Sequence, residues 1–149
     1  MDLFEIHKYN QIDINKLQIS KFNITYNSND FLIQTPIFID YELLNYSSKK
    51  YIELKLNDSK ISHLKFLTFI DSLELKLNKL LDKGIKTQII TNIQNKKSLK
   101  VKILDDTIYF DYNKNVVNNL YLNKISLLLK LEINLTYYSW TAVQVLQLN

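Results

Sequence analysis

Ile125, Leu127, Leu129, Leu131, Ile133 and Leu135 occupy every second position of one segment, against Ser126, Lys130, Glu132 and Asn134. A strand with one face in a core produces that period, because successive side chains point to opposite faces. Tyr51 to Leu56 repeats it, with Ile52, Leu54 and Leu56 on one face and Tyr51, Glu53 and Lys55 on the other. So does Ser98 to Ile103, where Leu99, Val101 and Ile103 oppose Ser98, Lys100 and Lys102. Leu17 to Tyr26, Leu32 to Ile39, Thr107 to Tyr112 and Tyr138 to Leu148 read as strands with looser alternation. The last is apolar on both faces, which marks a well-covered or bulged strand.

One segment follows another period. Phe66, Phe69, Ile70, Leu73, Leu77, Leu80 and Leu81 recur at spacings of three and four, the stripe of an amphipathic helix. Ser59 or Ser62 is placed to cap its start, Lys79 and Lys83 suit the negative end of its dipole, and Gly84 stands where a left-handed stop is wanted. The order is then three strands, one helix and about four strands. It predicts a mostly β fold: an OB-like closed or partly open β-barrel of about five to seven strands plus one helix at about 62–83. A β-sandwich with an inserted helix is the alternative. With one Gly, one Pro and no repeat or linker, residues 1–149 read as a single domain.

Composition narrows the chemistry. Apolar residues make up 46% of the 149, enough for a core that buries roughly 70% of the unfolded surface. All 19 basic residues are Lys, and Ile, Asn, Lys and Tyr, whose codons are A/T-rich, are all frequent. There is no Cys, which removes disulfide scaffolds, thiolate metal sites and cysteine nucleophiles. Met1 to Asn10 carries Asp2, Glu5 and Lys8 and has no apolar core of a signal peptide, and no unbroken apolar run, Leu127 to Leu129 included, approaches the ~20 residues of a membrane span. The expectation is an intracellular protein with no membrane partner.

No catalytic site is legible. His7 and His63 have no partner at ligand spacing, and His63 reads as an ordinary polar residue in a first helical turn. Asp105 and Asp106 are adjacent, so they point apart and fit a turn better than a shared proton or metal. A single Gly permits no Gly-rich phosphate loop. The expectation is a non-enzymatic protein with no cofactor and no metal.

Charge is more informative. Between Lys76 and Lys102 stand eight lysines and one acid, Asp82, a net +7 in a chain whose total is +4. Lys86, Lys96, Lys97, Lys100 and Lys102 form a cluster able to track a phosphate backbone. Tyr109, set in a strand that would pair with Ser98 to Ile103 across a turn at Leu104 to Asp106, is the candidate ring for stacking a base. The implied partner is single-stranded DNA or RNA, bound without marked sequence preference.

Two stretches add a resemblance. Leu32-Ile33-Gln34-Thr35-Pro36-Ile37-Phe38 leads to Tyr51 to Leu56 and then to a helix containing Phe69-Ile70-Asp71. Leu127 to Leu131 is followed by Tyr138-Ser139-Trp140-Thr141-Ala142-Val143-Gln144-Val145. Together they resemble the short OB-fold proteins of nucleocytoplasmic large DNA viruses, relatives of the phage-type single-stranded-DNA-binding proteins. The resemblance implies that a Gln-Thr-Pro strand opens the barrel and a Trp strand with a Gln four residues on closes it. Trp140 and Gln144 are then fold signature rather than contact, and the implied role is viral DNA replication or repair, in host cytoplasm or virion. Tyr138-Ser139 stands where the family carries a Gly, and the sequence ends at Gln147-Leu148-Asn149 rather than in the acidic tail of phage-type members. The alternative reading is a viral structural or assembly protein, a minor capsid or virion component, on the same scaffold, with a homo-oligomer or viral protein as partner.

Overall fold

The structure is a computed structural model and describes residues 7–20, 23–27, 29–82, 89–91, 94–121, 124–133 and 138–148. Strands β1 (His7–Lys8), β2 (Leu17–Ser20), β3 (Asn23–Tyr26), β4 (Asn29–Asp30), β5 (Leu32–Gln34), β6 (Tyr41–Tyr46) and β7 (Lys49–Lys55) precede helix α1 (Ile61–Leu81). β8 (Ile89–Thr91), β9 (Lys97–Phe110), β10 (Val116–Val117), β11 (Lys124–Ile133) and β12 (Tyr138–Leu148) follow it. The main sheet runs β1-β5-β11-β12-β9-β7-β6, with β8 and β10 also on β9, while β2-β3-β4 form a small second sheet. The fold is mostly β with one helix and OB-like, and its strand path has two ends, β1 and β6, among the described residues.

The long alternations behave as their period demands. Ile125, Leu127, Leu129, Leu131 and Ile133 are buried along β11, as are Ile52 and Leu54 on β7 and Leu99 and Val101 on β9. They share one core with Phe66, Phe69, Ile70, Leu73 and Leu77 of α1 and with Trp140. Burial of each such side chain contributes about 1.5–3 kcal/mol, so this inner layer holds the sheet against the helix. Two phenols tether α1: Tyr9 donates to the Ser62 carbonyl (3.1 Å) and Tyr138 to Asn78 Oδ1 (2.6 Å).

The helix ends differ from expectation. Lys60 is the N-cap and makes no side-chain capping bond, and the left-handed C-cap is Asp82 (φ 52°), whose N–H donates to the Asn78 carbonyl. Gly84, the expected stop, and Lys83 lie outside the described residues. Leu80, expected in the stripe, is 47% exposed. His63 is buried rather than exposed, because Nδ1 accepts from Asn57 N–H and Nε2 faces the Ile37 carbonyl, each at 2.8 Å, while its ring packs on Phe38.

Three strand readings are also corrected. Leu17 to Tyr26 is not one strand but the antiparallel pair β2–β3, with Leu17 opposite Tyr26. β6, absent from the sequence reading, pairs antiparallel with β7. Most consequentially, there is no hairpin at Leu104 to Asp106, because β9 continues through it as a kink. Leu104 N–H donates to Thr107 Oγ1 (3.0 Å), which in turn donates to the Ala142 carbonyl (2.7 Å). Before the kink β9 lies between β7 and β12, and beyond it β9 lies between β12 and β10. One hydroxyl therefore stabilises the bend that lets a single strand serve two parts of the sheet.

β12 is bulged, as its two-sided apolarity predicts. Ala142 pairs with Leu129 but Gln144 with Leu128, leaving Val143 as the extra residue. Trp140 and Ala142 before the bulge, and Val145 after it, all face the core. Gln144 therefore turns to the opposite, outer face, which corrects its reading as a core-closing partner of Trp140.

Candidate nucleic-acid interface

Residues paired across neighbouring strands share a face, so register alone lays out the sheet's outer surface. One row runs Leu32, Lys130, Thr141, Lys102, Tyr51 and Leu44 across β5, β11, β12, β9, β7 and β6. Strands lie about 4.8 Å apart, which puts the backbone positions of Lys102 and Lys130 about 10 Å from one another. Lys100, two residues along β9, lies on the same face opposite Glu53.

The rings in this layer are Tyr46 and Tyr51. They meet edge to face with centroids 5.8 Å apart, and Lys100 Nζ sits 4.6 Å above one ring and 4.3 Å above the other. Such cation–π contacts are worth about 0.5–1 kcal/mol at exposed sites, enough to pre-orient the rings without burying them. Tyr46 remains 53% exposed at the end of β6. An open tyrosine edge beside three lysines is the arrangement on which a single strand stacks bases and neutralises phosphates. Carboxylates temper the field: Glu42 and Glu53 share this face, and Lys55 reaches Glu42 at 3.8 Å.

The lysines expected to act together are divided. Lys100 and Lys102 belong to the tyrosine face. Lys96 and Lys97 instead line a groove of about 740 Å³ with Asp40, Glu53 and Asp58, whose charges oppose theirs. Lys86 lies outside the described residues. Tyr109 is set apart from Lys100 and Lys102: it pairs with Val145 and Val117, is half-buried against the core, and its phenol pKa is raised by that burial. Because β9 runs on through 104–107 instead of turning back as a hairpin, its odd-numbered residues stay inward on both sides, and Tyr109 faces the core as Leu99 and Val101 do.

Tyr46, Tyr51 and Lys130 are the members the sequence reading left out. The outward parity of Tyr51 and Lys130 was visible in their alternation, but their approach to Lys102 depends on strand order, which periodicity does not encode. Among the described residues no group of three His, Asp or Glu side chains is placed to hold a metal. No described helix is long and apolar enough to cross a membrane.

The chain thus has an OB-like curved sheet with one packed helix and a lysine–tyrosine outer face. Solved structures share that fold. The single-stranded DNA-binding protein from bacteriophage Enc34 superposes with a TM-score of 0.58 at 13% identity, over 89% of each chain. Its C-terminally truncated form gives 0.53 at 12% identity, over 91% of this chain and 96% of that one. The single-stranded DNA-binding protein gp2.5 of bacteriophage T7 gives 0.52 at 9% identity, over 79% and 91%. No family model and no curated protein matches the chain in sequence.

Proposed function

We propose that this protein binds single-stranded DNA non-enzymatically along its outer sheet face, in viral DNA replication or repair. The observation that carries the reading is the juxtaposition of Tyr46 and Tyr51 with Lys100, on the face shared by Lys102 and Lys130. Phosphates meet the ammonium groups while bases stack on the ring edge, and neither contact depends on base identity. Shared fold with two phage single-stranded DNA-binding proteins supports the same reading, as does the resemblance of Gln34-Thr35-Pro36 and the Trp140 strand.

The test is the salt dependence of oligonucleotide affinity. Each lost phosphate contact flattens log affinity against log salt by about 0.7 for a single strand. Replacing Lys100, Lys102 and Lys130 by Gln should therefore flatten the slope by up to about 2 units. Replacing Lys96 and Lys97, whose groove carries carboxylates, should change it less. A wild-type slope in the triple variant would move the interface elsewhere.

A second reading, assembly into a larger viral structure, is favoured by one feature. Ile61, Leu64 and Leu75 of α1 are 71%, 46% and 74% exposed. Concentration-dependent sedimentation that Leu75→Glu abolishes would support it.

A further inference from the structure

The bulge in β12 gives the outer face a second chemical character away from the tyrosines. Beyond it, Gln144 pairs with Leu128 and Ile108, and Leu146 with Ser126 and Phe110. Phe110 and Leu128 are buried, yet neither belongs to the main core. They wall a separate cavity of about 190 Å³ with Leu146, Gln144 and, at its rim, Lys114.

Gln144 is the informative residue. It is 6% exposed, and its Nε2 has no hydrogen-bond partner among the described residues. Other polar groups lining the cavity are engaged, since Gln34 Nε2 donates to Ser126 Oγ (3.2 Å) and Ser126 Oγ to the Thr35 carbonyl (2.8 Å). A buried donor facing a cavity without a partner marks a place where a ligand acceptor belongs.

Size and walls describe that ligand. A cavity of about 150 Å³ accepts benzene, so 190 Å³ takes one six-membered ring with small substituents and is tight for a fused pair. Apolar walls suit the faces of a flat heterocycle. A side-chain amide offers a donor next to an acceptor, which matches the carbonyl-bearing edge of a pyrimidine. Lys114 is held over the rim by a tight turn in which Asp111 Oδ1 accepts from Asn113 and Asn115 N–H, each at 2.9 Å, leaving its ammonium available for a phosphate.

The pocket also lies on the path of a bound strand. Leu128, in its wall, and Lys130, on the lysine face, are alternate residues of β11, about 7 Å apart. That is within one nucleotide of the lysine row.

We infer that this pocket takes a single unstacked pyrimidine base, held by the Gln144 amide between Phe110, Leu128 and Leu146, with its phosphate at Lys114. The inference rests on the single-strand reading and adds one base-selective position to an otherwise sequence-tolerant face.

Two measurements test it. Wild-type protein should bind short oligo(dT) about five- to tenfold tighter than oligo(dA), the loss of about one hydrogen bond, and Gln144→Met should bring that ratio toward one. In the wild-type protein, thymidine monophosphate should shift the Gln144 side-chain amide resonances, and deoxyadenosine monophosphate should not. A ratio untouched by Gln144→Met in a variant that melts like wild type overturns the pocket, as does an amide unmoved by thymidine monophosphate. If oligonucleotides fail to bind but thymidine monophosphate still shifts the amide, the pocket stands and the single-strand reading falls. If oligonucleotides bind with a salt-sensitive slope but the amide does not shift, the pocket falls and the broader reading stands.

Discussion

The two halves of β9 belong to one strand and present opposite chemistry. Up to Ile103 the strand sets Lys100 and Lys102 outward and Leu99 and Val101 inward, with β7 on one flank and β12 on the other. Beyond the kink it sets Phe110 outward into the Gln144 pocket and Tyr109 inward against Val145. A few residues of kink, stabilised by Thr107, separate a charged ring-bearing surface from an apolar cavity. Even-numbered residues face outward and odd-numbered ones inward on both sides of the kink, so the comparison teaches that the two surfaces differ in which side chains fill the outward places and in which strands flank them, not in parity.

The largest expected contrast lies within the first half. Leu99→Ala should cost about 2–5 kcal/mol in denaturant unfolding, since it opens a cavity in the shared core. Its neighbour Lys100→Ala should cost only about 1 kcal/mol, because it loses cation–π contacts to two rings at a half-buried position of the outer face. Equal costs would mean that the inward and outward faces have been exchanged.

A smaller contrast sets a ring beside the first half against one in the second. Tyr51→Ala should weaken single-strand binding by about 1–3 kcal/mol with little change in salt slope, because stacking releases no counterions. Tyr109→Ala should lower the melting temperature and leave binding near wild type. The opposite pattern would return the interface to Tyr109, where the expected hairpin had placed it.

The smallest contrast is between phenols. Burial, with the negative charge of Glu74 adding to it, pushes Tyr138 up to about 12, and burial raises Tyr109 as well. A phenol whose folded pKa exceeds its unfolded value of 10.0 contributes stability that is complete below about 10 and is lost as pH rises toward about 12. Tyr138→Phe should cost about 0.5–1.5 kcal/mol at neutral pH through its lost bond to Asn78, and should flatten the alkaline fall in unfolding free energy. Tyr109→Phe should flatten it less. Identical alkaline profiles in wild type and Tyr138→Phe would show that this phenol does not ionise against the fold.

How much of this was legible in the sequence follows the same division. β11, β7 and the helix stripe could be read directly, because each keeps one period, and both bounds of β12 could be read from its apolar run despite the broken period. The bulge in β12 was foreshadowed by apolar residues on both of its faces. Asp105-Asp106 looked like a turn because two exposed carboxylates interrupt an apolar alternation, and a kinked strand leaves the same trace. β6 escaped because an edge strand buries neither face fully: Leu43 is 60% exposed and Tyr46 is 53% exposed. The division into β2 and β3 escaped because no Gly or Pro stands between them in the sequence. Two of the five clustered lysines, Lys100 and Lys102, could be read as an outward row. Its completion by Lys130 and Tyr51 depends on which strands become neighbours, and Gln144 on a single extra residue.

That extra residue also has a genetic consequence. Loss of the Val143 codon would set Gln144 directly after Ala142, still facing outward with Val145 inward, so the alternation would close up without moving either face. Straightening the bulge with Val143 kept would do the reverse: Val143 would take the outward place, Gln144 and Leu146 would exchange faces with Val145 and Gln147, and the cavity beside Phe110 would lose its amide. The cavity therefore tolerates removal of the extra residue but not its absorption into regular pairing. Among divergent relatives, a tryptophan-to-glutamine spacing of three residues and one of four are equivalent only where the longer one is bulged.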